Sequence, residues 1–348
     1  NILVTGGCGY IGSHTVLSLL ENGYFVYVLD SNVNSSPAVI KRLIKIISQK
    51  DKSKINNLQF IEGDIRRIEN IESIFKTAFH NKKEIDGVIH FSGLKSITES
   101  INYPLKYWEN NVLGTINLLK VMDKYECKTI IFSSSATIYT NFGNEKIKEN
   151  CLIKPINPYG RNKSTIELFL NDIYESDPIN WKIINLRYFN PIGAHCSGQL
   201  GEDPIGLVNN IFPLILKVAS KNINQLKIFG NDWDTRDGTC IRDYIHIMDL
   251  ANAHFEALKF LQSNNPQILN LNVGTGSGIT VLELIKTFER VNNLKIPYSF
   301  VGRRRGDMEN VVADNSKILE VLNWVPKYTL EDMCNDGWNW FLTNPNGY

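Results

Sequence analysis

A short apolar run, Ile2-Leu3-Val4-Thr5, passes directly into Gly6-Gly7-Cys8-Gly9-Tyr10-Ile11-Gly12, and helical periodicity then holds from Ser13 to Glu21. A second strand pattern, Phe25-Val26-Tyr27-Val28-Leu29, follows and closes on Asp30. Few folds accommodate a strand, glycine loop, helix and strand in that order. Gly6 and Gly9 permit a tight turn and close approach of the backbone to a pyrophosphate, and Gly12 lets the helix pack close on the strand. The phosphates then meet amides at the helix N-terminus. Asp30 at the end of the second strand offers acceptors to both ribose hydroxyls of an adenosine and repels a 2′-phosphate, which predicts NAD rather than NADP.

The alternation continues. Residues 58–64 read as a third strand, with Asp64 at its end placed to contact an adenine amino group, and residues 85–91 as a fourth, followed by Ser92-Gly93-Leu94-Lys95. Residues 98–124 have the periodicity of a long helix, interrupted at Tyr103-Pro104 and at Gly114. Thr129-Ile130-Ile131-Phe132 is a fifth strand and residues 181–186 a sixth. This pattern predicts an α/β protein with a Rossmann-type doubly wound parallel sheet and a smaller C-terminal α/β substrate-binding domain. Ligands of such a sheet gather at the carboxyl ends of its strands, where Gly9, Asp30, Asp64, Lys95, Ser135 and Asn190 fall.

Past residue 180 the rhythm breaks. Residues 191–209 form a long connection rich in Gly and Pro, a length that suggests a binding role. A helix is expected over 210–220, a short strand over 226–230 and a helix over 248–262. The run 269–273, a helix over 280–291 and the basic turn Arg303-Arg304-Arg305-Gly306-Asp307 are expected to complete the smaller domain. The domain limits are therefore 1–180 for NAD and 181–348 for substrate, with residues 236–262 packing back on the first.

Chemistry concentrates between Ser133 and Lys163. The fifth strand delivers Ser133-Ser134-Ser135-Ala136-Thr137 at its end, and Asn157-Pro158-Tyr159-Gly160-Arg161-Asn162-Lys163 enters a segment of helical spacing. Tyr159 and Lys163, four apart, share one helix face. A phenol with a pKa of about 10 is a poor base at neutral pH, and a nearby cation lowers that value. Ser135 can hydrogen-bond the same substrate oxygen as its charge changes.

Composition narrows the function classes. The 348 residues carry 37 basic and 36 acidic side chains, a net charge of +1, which gives no reason to expect nucleic acid or an anionic membrane as partner. No apolar run approaches the roughly 18 residues of a membrane span, and with a strand pattern at the start no signal peptide is expected. Cys8, Cys127, Cys151, Cys196, Cys240 and Cys334 are dispersed without a CxxC pair, and the six histidines lack ligand spacing. No metal is expected, and a cytoplasmic location is.

Together the Thr-Gly-Gly-x-Gly-Tyr-Ile-Gly start, Ser-Ser-Ser-Ala-Thr-x-Tyr, Tyr-x-x-x-Lys, Arg187-Tyr188-Phe189-Asn190-Pro191 and Arg242-Asp243-Tyr244-Ile245-His246 resemble the extended short-chain dehydrogenase/reductases along essentially the whole chain. The match is nearest to the nucleotide-sugar 4-epimerases among them. That resemblance implies reversible inversion at C4 of a UDP-linked hexose through a transient 4-keto sugar with bound NAD. It implies that Ser135 holds the 4-oxygen, that Tyr159 removes the 4-hydroxyl proton, and that Lys163 binds the nicotinamide ribose and tunes Tyr159. Gly6, Gly9 and Gly12, with the amides of Tyr10 and Ile11, would serve the pyrophosphate, Asp30, Asn34 and Ser35 the adenosine, and Asp64 and Ile65 the adenine. Phe91, Lys95, Asn110, Ser133 and Phe189 would line the cofactor site. Asn190, Asn210, Lys227, Phe229, Arg242, Arg304 and Asp307 match the nucleotide-sugar positions, and the two arginines suit phosphate oxygens.

Where relatives restricted to unacetylated sugars often carry tyrosine this chain has Val311, which predicts acceptance of UDP-N-acetylglucosamine as well. Ser31, Ser92, Thr140 and Arg161-Asn162 depart from the usual residues without removing a catalytic group. The resemblance also implies a homodimer, for which Ile116, Leu119, Ile166, Leu168 and Phe169 are the candidate apolar residues. Other nucleotide-sugar enzymes on this scaffold are alternatives. A dehydratase needs an acidic pair after its catalytic threonine, whereas Thr137 is followed by Ile138-Tyr139, and the C-terminal signatures fit a decarboxylase less well. A non-catalytic NAD-binding protein would not need Ser135, Tyr159 and Lys163.

Overall fold

The computed structural model describes every residue except 141–144, 207 and 305. The chain forms two compact units. One holds Asn1–Thr140, Leu152–Arg187 and Ala251–Leu271; the other holds Tyr188–Leu250, Asn272–Tyr348 and the stretch ending at Cys151. The division therefore falls at 187 rather than 180, because the sixth strand runs to Tyr188, and of the expected 236–262 segment only the part from Ala251 onward joins the first unit.

The first unit is built on β1 (Ile2–Thr5), β2 (Val26–Asp30), β3 (Leu58–Glu62), β4 (Gly87–His90), β5 (Thr129–Ser135) and β6 (Lys182–Tyr188), with the strand Gln267–Val273 as a seventh. The order across the sheet is Gln267–Val273, β6, β5, β4, β1, β2, β3. β1 pairs in parallel with both β2 and β4, so the strand order reverses there, and β2–β3 and β4–β5 are also parallel. A crevice forms at the carboxyl ends where such an order reverses. β1, β2 and β4 are buried along their full length, the reason they read as unbroken apolar runs and not as alternating ones.

The helices of this unit are α1 (Tyr10–Glu21), α2 (Ala38–Lys50), α3 (Ile68–His80), α4 (Ile97–Asn102), α5 (Pro104–Tyr107), α6 (Gly114–Lys124) and α7 (Pro158–Ser176). Ile71, Ile74 and Phe75 of α3, Leu118 and Met122 of α6, and Ile166 and Leu170 of α7 bury against Val88, Ile130 and Phe132 of the sheet. Fully burying each such side chain stabilises the fold by about 1.5–3 kcal/mol. Leu119 and Ile166, offered above as interface residues, are core, and Ile116 and Phe169 pack against it; Leu168 is exposed.

The long helix expected over 98–124 is broken twice. Tyr103 leaves the helical region at φ −131° and ψ 62°, and Pro104 starts α5 at a position where its missing N–H costs nothing. A π-helical turn, Trp108–Leu113, then leads into α6. Gly114 is itself helical, and its role is contact: a Cβ there would lie 2.5 Å from Ile65 Cδ1. The run 269–273, assigned above to the smaller domain, belongs to the strand Gln267–Val273 beside β6, because an edge of the parallel sheet takes an apolar strand as readily as a new domain does.

The second unit pairs Leu226–Phe229 with Tyr298–Val301, Asn190–Ile192 with Tyr244–His246, and sets Ile241–Arg242 between Ile279–Thr280 and Asn310–Val311. Helices Ile211–Ala219, Val281–Asn292 and Leu330–Thr343 bury Phe212, Ile215, Phe288 and Met333 in one core. Reciprocal capping boxes, Thr280 with Glu283 and Thr329 with Asp332, start the latter two. Among the described residues no helix is long and apolar enough to cross a membrane.

Candidate active site

The glycine loop folds tightly on itself. Gly6 has φ +71°, the Gly9 amide donates to the Gly6 carbonyl at 3.1 Å, and a Cβ on Gly12 would stand 2.2 Å from that same oxygen. Only glycine fits at both positions. Gly9 precedes α1 without a capping side chain, the arrangement that offers the amides of Tyr10 and Ile11 to an anion.

Asp30 is buried and accepts from the Cys8 amide at 2.9 Å, the Asn32 amide at 2.9 Å and the Ser35 hydroxyl at 2.8 Å. Ser35 is thus turned onto Asp30, while Asn34 is exposed. Asn32, which the sequence reading passed over, has φ +55° and a buried side-chain amide whose oxygen and nitrogen both lack a protein partner. A buried amide of that kind carries a cost of about 1–3 kcal/mol unless something pairs with it. Glycines that admit no Cβ, a helix N-terminus and an unsatisfied amide beside Asp30 fit a dinucleotide. Asp64 lies beyond β3 and is held by Arg66 at 2.6 Å, which keeps its carboxyl below the usual range. Ile65 is buried against the Gly114 position.

On β5 and α7 the chain brings Ser135, Tyr159 and Lys163 together. Asn157 caps α7 by accepting from the Gly160 amide at 2.8 Å, and Pro158 occupies the first turn, which sets Tyr159 at the helix start. A Cβ on Gly160 would be 2.6 Å from the Thr137 carbonyl, so this glycine allows α7 to close on the segment following β5. Ser135 hydrogen-bonds the Tyr159 phenol, and its own Oγ accepts from the Thr137 hydroxyl at 3.0 Å. Lys163 is buried, donates to the Ser133 carbonyl at 2.5 Å, and stands 5.8 Å from the centre of the Tyr159 ring.

The electrostatics differ from the tuning expected. Burial pushes the Tyr159 phenol up to about 12 against the opposing Ser135 hydrogen bond, and burial pushes the Lys163 ammonium down to about 7 against the opposing charge of Glu167. A cation that is itself losing its charge to burial is a weak acidifier of its neighbour. The residues alone therefore hold a protonated phenol beside a lysine poised to lose its proton.

Two supporting clusters were not read from the sequence. Glu167 on α7 takes both arms of Arg187 from β6, and Arg187 also donates to the Tyr139 hydroxyl. Near the end of β4, Thr115 donates to the Asn111 carbonyl at 2.6 Å, so His90 donates to Thr115 through Nε2 at 2.8 Å and accepts from Thr5 at Nδ1 at 2.7 Å. Burial, with the Lys163 charge adding to it, pushes His90 down to about 3 and keeps it neutral. Asn111, next to the expected Asn110, is buried and bonds the Leu94 backbone at 2.8 and 3.0 Å and Asn162 at 3.3 Å. Asn110 turns its amide to the Lys106 carbonyl. Lys95 is exposed, and the Phe91 ring lies tilted by 51° against His254 with centroids 4.8 Å apart.

In the second unit Phe189 is buried, and the Asn190 amide donates to the Asp243 carbonyl at 3.0 Å. Asp243 in turn accepts from Thr275, Gly276 and Ala313, yet its burial outweighs these donors and raises its pKa. Arg242 and Asp307, each expected to face substrate, form an ion pair with each other at 2.8 Å, and Arg242 also donates to the carbonyls of Ile241 and Met308. Arg304 lies over the Phe229 ring at 4.3 Å. Arg303 lies over Trp233 at 3.9 Å and bonds Asp232, and Arg305 of the same turn lies outside the described residues. Lys227 and Asn210 are exposed, and Val311 is buried in register with Arg242.

A family profile described as GDP-mannose 4,6 dehydratase matches residues 3–337. UDP-glucose 4-epimerase 2 of Arabidopsis thaliana is 47% identical over 348 residues, covering 100% of this chain and 97% of the relative. Among solved structures, the UDP-glucose 4-epimerase of Stenotrophomonas maltophila, with bound NAD and formylated UDP-arabinopyranose, has a TM-score of 0.93 at 39% identity and covers 99% of this chain and 98% of its own. The enzyme of Bifidobacterium longum, in complex with NAD+ and UDP, has a TM-score of 0.90 at 41% identity and covers 100% and 99%. A parallel sheet reversing at a glycine loop, with serine and Tyr-x-x-x-Lys at the carboxyl end of an inner strand, is the architecture of the extended short-chain dehydrogenase/reductases. Within that class the chain belongs to the UDP-glucose 4-epimerase family.

Proposed function

We propose that the protein interconverts UDP-glucose and UDP-galactose by inverting C4 through a transient 4-keto sugar, with NAD held by the first unit and the nucleotide sugar bound by residues of the second. The observation that carries this reading is the meeting of Ser135, Tyr159 and Lys163 at the carboxyl end of β5, in a chain similar to epimerases over its full length. Gly6, Gly9, Gly12, Asp30 and Asn32 would hold the dinucleotide. NAD, when bound, supplies a reversible hydride acceptor whose oxidised ring carries positive charge.

The chain's own residues manage the proton. Tyr159 takes it from the 4-hydroxyl and returns it to the 4-oxygen, and Ser135 donates a hydrogen bond to that oxygen while its charge changes. The chain alone favours the protonated phenol, and a positive charge held beside it would favour the base form. Inversion requires the keto sugar to present its other face before hydride returns. Firm binding of the nucleotide through Arg242, Asp307, Phe229 and Arg304, with looser hold on the sugar, meets that need.

Asp64, Ile65, Phe91, Lys95 and Asn110 would flank the cofactor, with Asn34, Ser35 and Phe189, and Asn190, Asn210 and Lys227 the substrate. Val311 would leave room for an N-acetyl group, extending the activity to UDP-N-acetylglucosamine. A homodimer would cover Ile101, Leu105 and Leu168, which are exposed on α4, α5 and α7. Six free thiols suit the cytoplasm.

The test is a proton NMR time course of UDP-galactose with purified protein and no added NAD. A UDP-glucose anomeric signal growing to a steady ratio is the expected result. No conversion, even with NAD supplied, would displace the reading in favour of another nucleotide-sugar reaction.

A further inference from the structure

Tyr159, Lys163 and Glu167 recur every four residues on α7 and so share one face. The three serines that end β5 meet them in turn. The Ser133 carbonyl accepts from Lys163, the Ser134 hydroxyl donates to Glu167 Oε1, and the Ser135 hydroxyl bonds Tyr159. Arg187 reaches Glu167 from the neighbouring strand β6 with Nε at 3.0 Å from Oε1 and Nη2 at 2.7 Å from Oε2, and its Nη1 donates to the Tyr139 hydroxyl at 2.7 Å. Ser134, Tyr139, Glu167 and Arg187 are all buried.

Stability alone does not explain this cluster. A buried ion pair seldom does better than apolar side chains of the same volume, because desolvation offsets the attraction. The carboxylate instead sits one helical turn from a buried cation with few alternatives around it. Lys163 faces the Phe132 ring at 4.8 Å, neutral His90 from β4 and the Tyr159 phenol on its own helix, while Arg187 from β6 is paired with Glu167. Glu167 is the group that opposes the loss of its proton.

We propose that Glu167, clamped by Arg187 and Ser134, is a positioning residue that keeps the Lys163 ammonium charged and seated on the Ser133 carbonyl, and so sets the upper pH limit of the Tyr159 proton transfer. This rests on the reading that Tyr159 and Lys163 carry the proton chemistry. Neither Glu167 nor Arg187 reaches the substrate oxygen in this role; both act through Lys163.

The experiment is an NMR titration of the NAD-loaded protein carrying 13C-labelled lysine, with the Lys163 signal identified by its loss in Lys163→Met, alongside the pH profile of kcat for UDP-galactose. Wild type, Glu167→Gln and the double variant Glu167→Leu/Arg187→Met are compared; the double variant removes both charges, leaves none unpaired and so guards against unfolding. In Glu167→Gln, Lys163 should titrate at least about one pH unit lower, a roughly tenfold loss of the charged form, and the alkaline limb of kcat should move with it. The double variant should shift the same way, since it too lacks the Glu167 carboxylate. An unmoved Lys163 titration in the variants that fold, with only thermal stability reduced, would overturn the proposal. Absence of turnover in wild type would instead count against the epimerase reading, and the titration would still report on Glu167.

Discussion

The Lys163 ammonium lies 2.5 Å from the Ser133 carbonyl, and 5.8 Å separates it from the centre of the Tyr159 ring. The lysine is thus fastened to the strand that carries the serines, and it reaches the phenol through space. Strand and helix are tied together by one buried side chain.

That burial makes stability depend on pH. Burial lowers Lys163 from 10.5 to about 7 in the folded chain, so between those values the unfolded chain binds the extra proton and stability rises with pH. The slope from this group is about 1.4 kcal/mol per pH unit. Lys163→Met removes it, and the gain in stability of that variant over wild type, read from denaturant unfolding of the NAD-free protein, should be larger at pH 7 than at pH 9. A gain independent of pH would contradict the buried lysine.

His90 acts with the same sign in a lower window. Its folded value of about 3 lies below 6.5, so its contribution is complete above pH 6.5 and is lost progressively as pH falls toward 3. His90→Gln should unfold more easily at neutral pH, through the broken bonds to Thr5 and Thr115, yet show a shallower acid dependence in thermal melts.

Substitution of Tyr159 by Phe should lower kcat by about 10²–10⁴-fold while NAD stays bound, as expected when one acid–base group is removed. Ser135→Ala should cost about 10²-fold, the effect of losing one hydrogen-bond donor to the changing oxygen. Both are read from the UDP-galactose time course, with bound NAD released by denaturation and quantified. Full activity of Tyr159→Phe would move the proton chemistry elsewhere.

Gly12→Ala tests the loop without touching that chemistry. With a Cβ 2.2 Å from the Gly6 carbonyl, the loop must open, and the purified variant should carry less than about a tenth of the wild-type NAD. Retention of full NAD content would show that the loop does not form the phosphate cradle.

Val311→Tyr should abolish turnover of UDP-N-acetylglucosamine and leave that of UDP-galactose within a few-fold. Because Val311 is buried opposite Arg242, the larger ring also risks overpacking worth about 1–3 kcal/mol, so melting temperature is measured in parallel. Equal loss of both substrates without a drop in melting temperature would sink the specificity reading.

The parts of the site legible in the sequence are those made by neighbours along the chain. The glycine loop between two apolar runs, Asp30 at a strand end and the four-residue spacing of Tyr159 and Lys163 follow from local geometry alone. Glu167 sat in plain view on the same face of α7, four residues past Lys163, but its partner Arg187 is 20 residues on and Tyr139 lies 48 before Arg187. Nothing local relates them. Asn110 and Asn111 differ by one position, and the π-helical turn shifts the phase of the helix so that Asn111 faces inward.

By itself the sequence determined the alternation of strands and helices, the place where a dinucleotide would lie and the shared helix face of Tyr159 and Lys163, because each depends on periodicity or on residues a few positions apart. The tertiary structure decided the rest. It set the edge strand Gln267–Val273 into the main sheet, paired Arg242 with Asp307 across 65 residues, and placed half-buried Tyr159 and buried Lys163 where desolvation moves their proton affinities in opposite directions. Burial and long-range pairing are properties of the packed chain, since desolvation depends on every atom that surrounds a group and not on its neighbours in sequence.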